Sequence, residues 1–155
     1  MGRDRERVAA LNATLGEGWA VARGSAKGVK ATVGDYMAAL TRRDRLITAL
    51  EKFFHHWDAL ICPVTVSPAI PHVPFGTPIA VDGASVPYFI AGTAYTSPFN
   101  LTGNPSVVVP LTRSQDGLPI GVQLVGKRWS EPELLAAAQK VALITGPFTP
   151  PPSYR

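Results

Sequence analysis

The sequence predicts a fold that combines α-helices with a small β-sheet. All fifteen prolines lie after Ile61, so the first part of the chain can form long helices, while the rest must be divided into short elements. Two β-branched runs, Ser106–Leu111 and Ile120–Val125, are separated by a short polar stretch, as paired strands are. With 155 residues, 46% hydrophobic and 17% charged, the chain is expected to form one packed domain.

Residues 1–57 are predicted to be mostly helical. A short helix is expected at Arg3–Leu15, and several glycines leave Glu17–Lys30 without a clear assignment. The main prediction is a helix over Gly34–Trp57, since six apolar residues recur there at spacings of three, four or seven. They are Tyr36, Leu40, Ile47, Leu50, Phe54 and Trp57. The face that they form is expected to be buried.

Residues 58–126 are predicted to contain strands and proline-rich loops. Asp58–Pro63 is typical of a short buried strand that ends at proline, and Pro63–Pro87 is expected to be loop. Tyr88–Tyr95 is predicted to form a short helix.

The region 106–125 is predicted to be an antiparallel hairpin, because two adjacent strands with a short link usually pair in this way. The link is Thr112–Gly117. Gly117 at the turn exit and Gly121 within the second strand are expected where a Cβ atom would be costly.

A C-terminal helix is predicted at 130–145. Ser130 and Glu133 have the spacing of a capping box, and Pro132 is tolerated in the first turn of a helix. The buried face is expected to comprise Leu134, Leu135, Ala138, Val141 and Ala142.

Charge and cysteine content restrict the possible partners and the compartment. The net charge of +4 is spread along the chain, and Arg42–Arg45 reads as a solvated helix face, so no nucleic-acid partner is expected. Apolar runs are far shorter than the ~20 residues that a membrane helix needs, and no secretory signal is visible, so no membrane partner is expected.

Cys62 is the single cysteine, which suits a reducing, cytoplasmic location, and it is expected to be a small buried hydrophobic residue. His55 and His56 are expected at a helix end, with no metal role.

Five segments together resemble a known enzyme family. In chain order they are DALICP (Asp58–Pro63), TSPFN (Thr96–Asn100), GNP (Gly103–Pro105), GLPIGVQLVG (Gly117–Gly126) and ELL (Glu133–Leu135). Their order and spacing resemble the C-terminal part of the amidase signature family, over roughly residues 34–145.

The resemblance implies an α/β fold, here a partial mixed β-sheet flanked by helices that corresponds to the C-terminal portion of the amidase signature fold. It also implies hydrolysis of amide C–N bonds without a metal or cofactor. The family's catalytic set is a nucleophilic serine, a second serine that precedes a cis peptide, and a lysine. A loop rich in glycine and serine supplies backbone amides to the oxyanion, which requires preorganised donors.

This chain departs from the family pattern in its catalytic residues. No Gly-Gly pair occurs in the 155 residues, so the Gly-Ser-rich loop is absent and no catalytic residue can be assigned. The chain is therefore interpreted as one incomplete amidase-like domain, 1–155, which is inactive alone and whose amide substrate requires a missing N-terminal part. One alternative is a non-catalytic module that binds a partner chain or forms a homodimer. The other is a self-sufficient hydrolase that uses Ser25 and Lys27.

The resemblance also implies substrate-binding residues, namely Tyr95, Asn100 and Thr102. Asn100 and Thr102 have a second reading, as a turn cap that connects Gly103–Pro105 to the next strand. Where relatives that take ammonia from glutamine tend to carry an acid, this chain has Gly92–Ala94, which argues against glutamine as a substrate. An apolar or aromatic acyl group is favoured by four nearby aromatic residues, Tyr88, Phe89, Tyr95 and Phe99.

Overall fold

The computed structural model describes Glu6 and residues 20–150. Glu6 is helical, but the rest of the helix predicted at Arg3–Leu15 lies outside the described residues. In chain order the elements are α1 (Ala20–Lys30), α2 (Val33–Phe53), β1 (Ala59–Pro63), β2 (Ile79–Val81), β3 (Ala84–Val86), α3 (Tyr88–Thr93), α4 (Ser97–Thr102), β4 (Ser106–Arg113), β5 (Pro119–Gly126) and α5 (Glu131–Thr145). The α/β character is confirmed, and the described residues from Ala20 to Phe53 are helical except for Ala31 and Thr32.

Three strands form the main sheet, in the order β1-β5-β4, and both pairings are antiparallel. The predicted hairpin is confirmed: Ser106 pairs with Val125, and the register shifts once, between Pro110 and Thr112. The prediction that β1 is buried is wrong, because β1 is an edge strand of the described sheet and none of its five residues is buried. Ile61 remains 56% exposed.

Helices cover both faces of this sheet. On one face, Leu134 and Ala138 of α5 pack against alternate residues of the hairpin: Val109, Val122 and Leu124. On the other face, Phe54 and Phe99 pack against Val125. Successive residues of β5 therefore point into two different cores, because side chains along a strand alternate between faces. Burial of a side chain such as Leu124 stabilises the fold by about 1.5–3 kcal/mol.

The long helix begins at a capping box that sequence reasoning missed. The Thr32 hydroxyl accepts from the backbone amide of Asp35, and the Asp35 carboxylate accepts from the backbone amide of Thr32. The helix ends at Phe53, not at Trp57, because Phe54 turns into the core and the chain then makes a turn before β1. Tyr36 and Trp57, predicted to be buried, are 61% and 62% exposed.

The C-terminal helix occupies the predicted range, with two corrections. The predicted capping box at Ser130 is absent, because the Ser130 hydroxyl donates to the carbonyl of Lys127 at 2.7 Å and makes no cap bond. Leu134 and Ala138 are buried as predicted, but Leu135 lies on the outer face and is 53% exposed.

The prediction of loop throughout Pro63–Pro87 is wrong at β2 and β3, and α4 lies in a segment that was not assigned from the sequence. β2 and β3 form a small hairpin whose turn residues, Asp82 and Gly83, both have positive φ (48° and 79°), as a type I′ turn requires. The α4 helix ends at Gly103, whose φ of 73° places it in the left-handed region, a common end for a helix. The short helix predicted at Tyr88–Tyr95 is confirmed as α3, which ends at Thr93.

Candidate functional site

Three segments of the chain enclose a cleft of about 440 Å³. The first is the loop that follows β1, residues 63–70; the second is α3, through Tyr88, Ala91 and Gly92; the third is the start of β5, residues 119–121. We refer to this space as the cleft and to its first segment as the cleft loop.

The cleft loop is shaped largely by its own hydrogen bonds. Pro63 ends β1, and the Thr65 hydroxyl then donates to the Ser67 carbonyl at 2.7 Å, while the Ser67 hydroxyl donates to the Pro68 carbonyl at 3.1 Å. The backbone amide of Val66 donates to the carbonyl of Ala91 at 3.3 Å, which joins the loop to α3. Local side-chain bonds of this kind hold serine and threonine in turns.

The third wall depends on the absence of a side chain at Gly121. A Cβ atom there would lie 2.8 Å from Val108 Cγ1 and 3.3 Å from the Val109 carbonyl oxygen, so β4 and β5 approach closely at this point. The sequence-based expectation of a costly Cβ is confirmed at Gly121. It is also confirmed at Gly117, whose φ of 77° strains other residues.

The side chains that line the cleft are mostly apolar, so the cleft suits an apolar ligand group. Of the described residues that line it, Tyr88 is the only one with a titratable side chain. The Tyr88 ring belongs to an aromatic cluster, because the ring of Phe75 lies 5.5 Å, centroid to centroid, from both Tyr88 and Phe89. The Thr65 and Ser67 hydroxyl protons are engaged by backbone carbonyls, so the lining can bind an apolar group but offers no nucleophile paired with a base.

Two of the three predicted substrate-binding residues are exposed, and none of the three lines the cleft. Tyr95 follows α3 and is 39% exposed, and Asn100 is exposed on α4. Thr102 is buried and borders a separate apolar groove between α2 and α4. Its hydroxyl lies 2.9 Å from the Pro98 carbonyl oxygen and 2.7 Å from Asn104 Oδ1.

Asn104 provides the tie between this turn and the sheet. Its side chain is buried, and Nδ2 donates to the carbonyl of Gly126, at the end of β5, at 2.8 Å. The cap-like role that the sequence suggested for Asn100 and Thr102 is thus carried mainly by Thr102 and Asn104. A buried amide with both ends bonded stabilises its turn, whereas an unpaired one would destabilise it.

The remaining candidates do not form a reaction centre within the described residues. Ser25 and Lys27 are exposed on α1, two positions apart, and side chains at that spacing do not face each other on a helix. Cys62 is half-buried, and burial raises the pKa of its thiol, with a smaller opposing effect from a hydrogen bond to Gln123. The thiol is therefore protonated at neutral pH. No cluster of metal-ligating side chains occurs in the described part of the chain, where His55, His56 and His72 are exposed.

Comparison with known proteins identifies the family. The sequence profile described as "Amidase" matches residues 14–135, which is more than half of the chain.

The chain belongs to the amidase signature family.

Relatives within the amidase signature family are named for different activities. A fatty acid amide hydrolase from Medicago truncatula is 32% identical over 117 residues, which cover 74% of this chain and 19% of that protein. A glutamyl-tRNA(Gln) amidotransferase subunit from Nitrobacter hamburgensis is 29% identical over 119 residues, 77% of this chain and 24% of that protein. A crystal structure of an amidase superposes with a TM-score of 0.69 at 28% identity, over 84% of this chain and 30% of the other. The chain thus spans about a fifth to a quarter of the curated relatives that it matches.

The cleft could be found from the sequence only in part. The signals available were a proline-rich loop directly after a strand and a glycine inside a strand pattern, both of which mark irregular backbone. Sequence reasoning chose Tyr95, Asn100 and Thr102 and missed Val64–Ile70. It also missed Gln123, whose contacts depend on residues far away in the sequence.

No helix among the described residues is both long and apolar enough to cross a bilayer.

Proposed function

We propose that this chain is one incomplete amidase-like domain, 1–155, that contributes the sheet core and part of the substrate-pocket wall of an amide-hydrolysing enzyme. The observation that carries the proposal is the position of two family-like segments. DALICP leads directly into the cleft loop, and GLPIGVQLVG contributes Pro119–Gly121 to the opposite wall. Both segments therefore meet at one apolar cleft.

The substrate that fits this cleft is an amide with an apolar or aromatic group. The lining residues are mostly aliphatic, with the Tyr88 ring at one side. A volume of about 440 Å³ is in the range of small-molecule sites. Tyr95 and Asn100 are exposed beyond α3 and could contact the polar end of such a substrate, while Thr102 would act indirectly by holding Asn104.

The nucleophile, the base and the oxyanion donors must, in this proposal, come from sequence outside these 155 residues. Amide hydrolysis needs all three within hydrogen-bond reach of the substrate. A pocket wall alone binds the ground state and does not lower the barrier. We therefore expect the chain alone to be inactive and to gain activity only with a segment that bears the Gly-Ser-rich loop and the lysine.

The test is ammonia release from phenylacetamide, butyramide and glutamine. The isolated chain should release none, and co-expression with the catalytic segment of a related amidase should restore release from phenylacetamide in preference to glutamine. The variants Ser25→Ala and Lys27→Ala are measured in parallel. Activity of the isolated chain that disappears in either variant would overturn the proposal and favour the self-sufficient hydrolase.

A second candidate function, a module that binds a partner chain or a second copy of itself, is supported by the outer strands. β1 and β4 each pair on one side only among the described strands, and Ile61 and Val108 are more than half exposed. Unpaired edges and exposed apolar residues favour association with another chain. Restored activity on co-expression would favour the pocket-wall function, whereas a stable, inactive dimer would favour the binding module.

A further inference from the structure

Gln123 is a buried polar side chain that connects distant parts of the chain. It lies on the central strand β5 and is 2% exposed. Its Nε2 donates to the carbonyl of Pro63 at 2.8 Å, across 60 positions of sequence, and to the carbonyl of Tyr95 at 2.9 Å, across 28 positions. The same amide nitrogen thus binds two backbone carbonyls, and the Gln123 side chain also contacts the Cys62 thiol.

These two carbonyls lie where two walls of the cleft are attached. Pro63 is the first residue of the cleft loop, and Tyr95 follows α3 by two residues. The third wall includes Gly121, two residues before Gln123 on the same strand. The Gln123 side chain therefore connects all three walls, although Gln123 is not among the residues that line the cleft. The hydrogen bond from the Val66 amide to the Ala91 carbonyl joins the cleft loop to α3 directly.

The amide is not required to fill the space. An unbranched apolar side chain such as methionine has nearly the same shape, and burying an amide is costly unless its hydrogen bonds are made. What the amide adds is two directed bonds that fix the positions of two carbonyls relative to β5. A role in geometry explains this residue better than a role in packing.

We propose that Gln123 is a positioning residue that sets the spacing between the cleft loop and α3, and thereby the width of the cleft. Its importance for substrate rests on the proposed function of the cleft as the site for the apolar part of an amide. The spacing itself can be measured without any substrate.

The experiment compares Gln123→Met with Ala138→Gly in the full chain by amide hydrogen exchange. Ala138 is buried in α5, outside the cleft lining, so its change lowers overall stability and accelerates exchange of all slowly exchanging amides together. In Gln123→Met, the Val66 amide should exchange about tenfold faster or more, beyond any change in the amides that pair β4 with β5, because two hydrogen bonds that hold the walls are lost.

Gln123→Asn is the milder second variant if the methionine variant does not fold. It keeps the amide but is one methylene shorter and cannot reach both carbonyls, so a smaller, still selective increase at Val66 is expected. A rise at Val66 no larger than in the β4–β5 amides, in the variant that folds, would overturn the proposal.

Titration with phenylacetamide, followed by NMR, separates this proposal from the proposed function. If the wild-type chain binds phenylacetamide, Gln123→Met should bind it about tenfold more weakly, while Ala138→Gly should bind it unchanged. Equal affinity of both variants would overturn the role of Gln123 in setting the width. If the wild-type chain binds none, the binding function of the cleft fails, and the selective exchange at Val66 still decides whether Gln123 positions the walls.

Discussion

The substitution Gly121→Val tests the close approach between β4 and β5. The new Cβ would lie 2.8 Å from Val108 Cγ1 and 3.3 Å from the Val109 carbonyl oxygen. The first distance is too short for two carbon atoms, and the second involves backbone, which cannot rotate away. The strands must therefore separate locally or Val108 must change its conformation.

The size of the effect follows from two opposing contributions. Overpacking in a strand costs about 1–3 kcal/mol. Valine favours the strand conformation over glycine, which offsets up to about 1 kcal/mol. The two contributions leave a fall of about 0–3 kcal/mol in the free energy of unfolding. The midpoint, about 1.5 kcal/mol, corresponds to a fall in melting temperature of about 3–6 °C for a chain of this size.

The assay is thermal and urea unfolding followed by far-UV circular dichroism, with two controls in the hairpin turn. Ser114→Val should have a smaller effect than Gly121→Val, because it loses only the bond from the Leu118 amide to the Ser114 hydroxyl, at 3.1 Å. Gln115→Val, at an exposed turn position, should be nearly neutral. Equal melting temperatures for Gly121→Val and Gln115→Val would refute the reasoning.

Four further predictions concern the cap of α2, its pH dependence, the buried amide of Asn104 and the sheet edge. Thr32→Ala should lower the free energy of unfolding by about 1 kcal/mol in urea, because it removes the cap of α2. Hydrogen bonds from Thr32 lower the pKa of Asp35 below its ordinary value of 3.8. The stabilisation that the ionised Asp35 carboxylate provides should therefore be fully present above pH 3.8 and be lost as the pH falls through the lowered pKa. Acid unfolding curves of the wild type and Asp35→Asn that coincide would contradict this. Asn104→Ala should cost about 2 kcal/mol, because the Gly126 carbonyl loses its donor, and an unchanged urea midpoint would show that the bond is dispensable. The isolated chain should be marginally stable or self-associating, and Val108→Lys should reduce association in sedimentation experiments; a clean wild-type monomer with a reversible melt above about 60 °C would count against exposed strand edges.

Local sequence signals were sufficient where neighbours along the chain decide the structure. The β4–β5 hairpin follows from two β-branched runs and a polar turn. The start of α5 was located from Pro132 and the spacing of Ser130 and Glu133, although the capping box itself is absent. The β2–β3 hairpin was missed although Asp82-Gly83 between apolar residues is a recognised turn signal. The prolines on either side favour loop structure, so the whole segment was predicted to be loop despite the Asp-Gly pair.

The errors in burial and in the site have a different origin. The periodicity of α2 correctly predicted a helix, but a pattern does not show how far a helix extends beyond the sheet that it covers, so Tyr36 was misplaced. Trp57 was misplaced because the helix ends at Phe53, four residues before it. Ile61 was expected to be buried because a run of apolar residues does not show which strand is at the edge. The contacts of Gln123 depend on Pro63 and Tyr95, and a single sequence contains no signal for such distant pairs.

The order of the strands also determines how the chain can fold during synthesis. β1 pairs only with β5 among the described strands, and Gln123 reaches Pro63 across 60 positions. At about 5–20 residues per second, a ribosome needs roughly 3–12 s to add those residues. Throughout that interval the ALICP strand lacks β5, its neighbour in the sheet, and during the first part of it the helix Ser97–Thr102 has not been made either, so a nascent chain exposes an apolar segment suited to chaperone binding. The hairpin β4–β5, by contrast, can close within microseconds once translated. β1 can then pair with the free edge of β5 in a hairpin that has already formed.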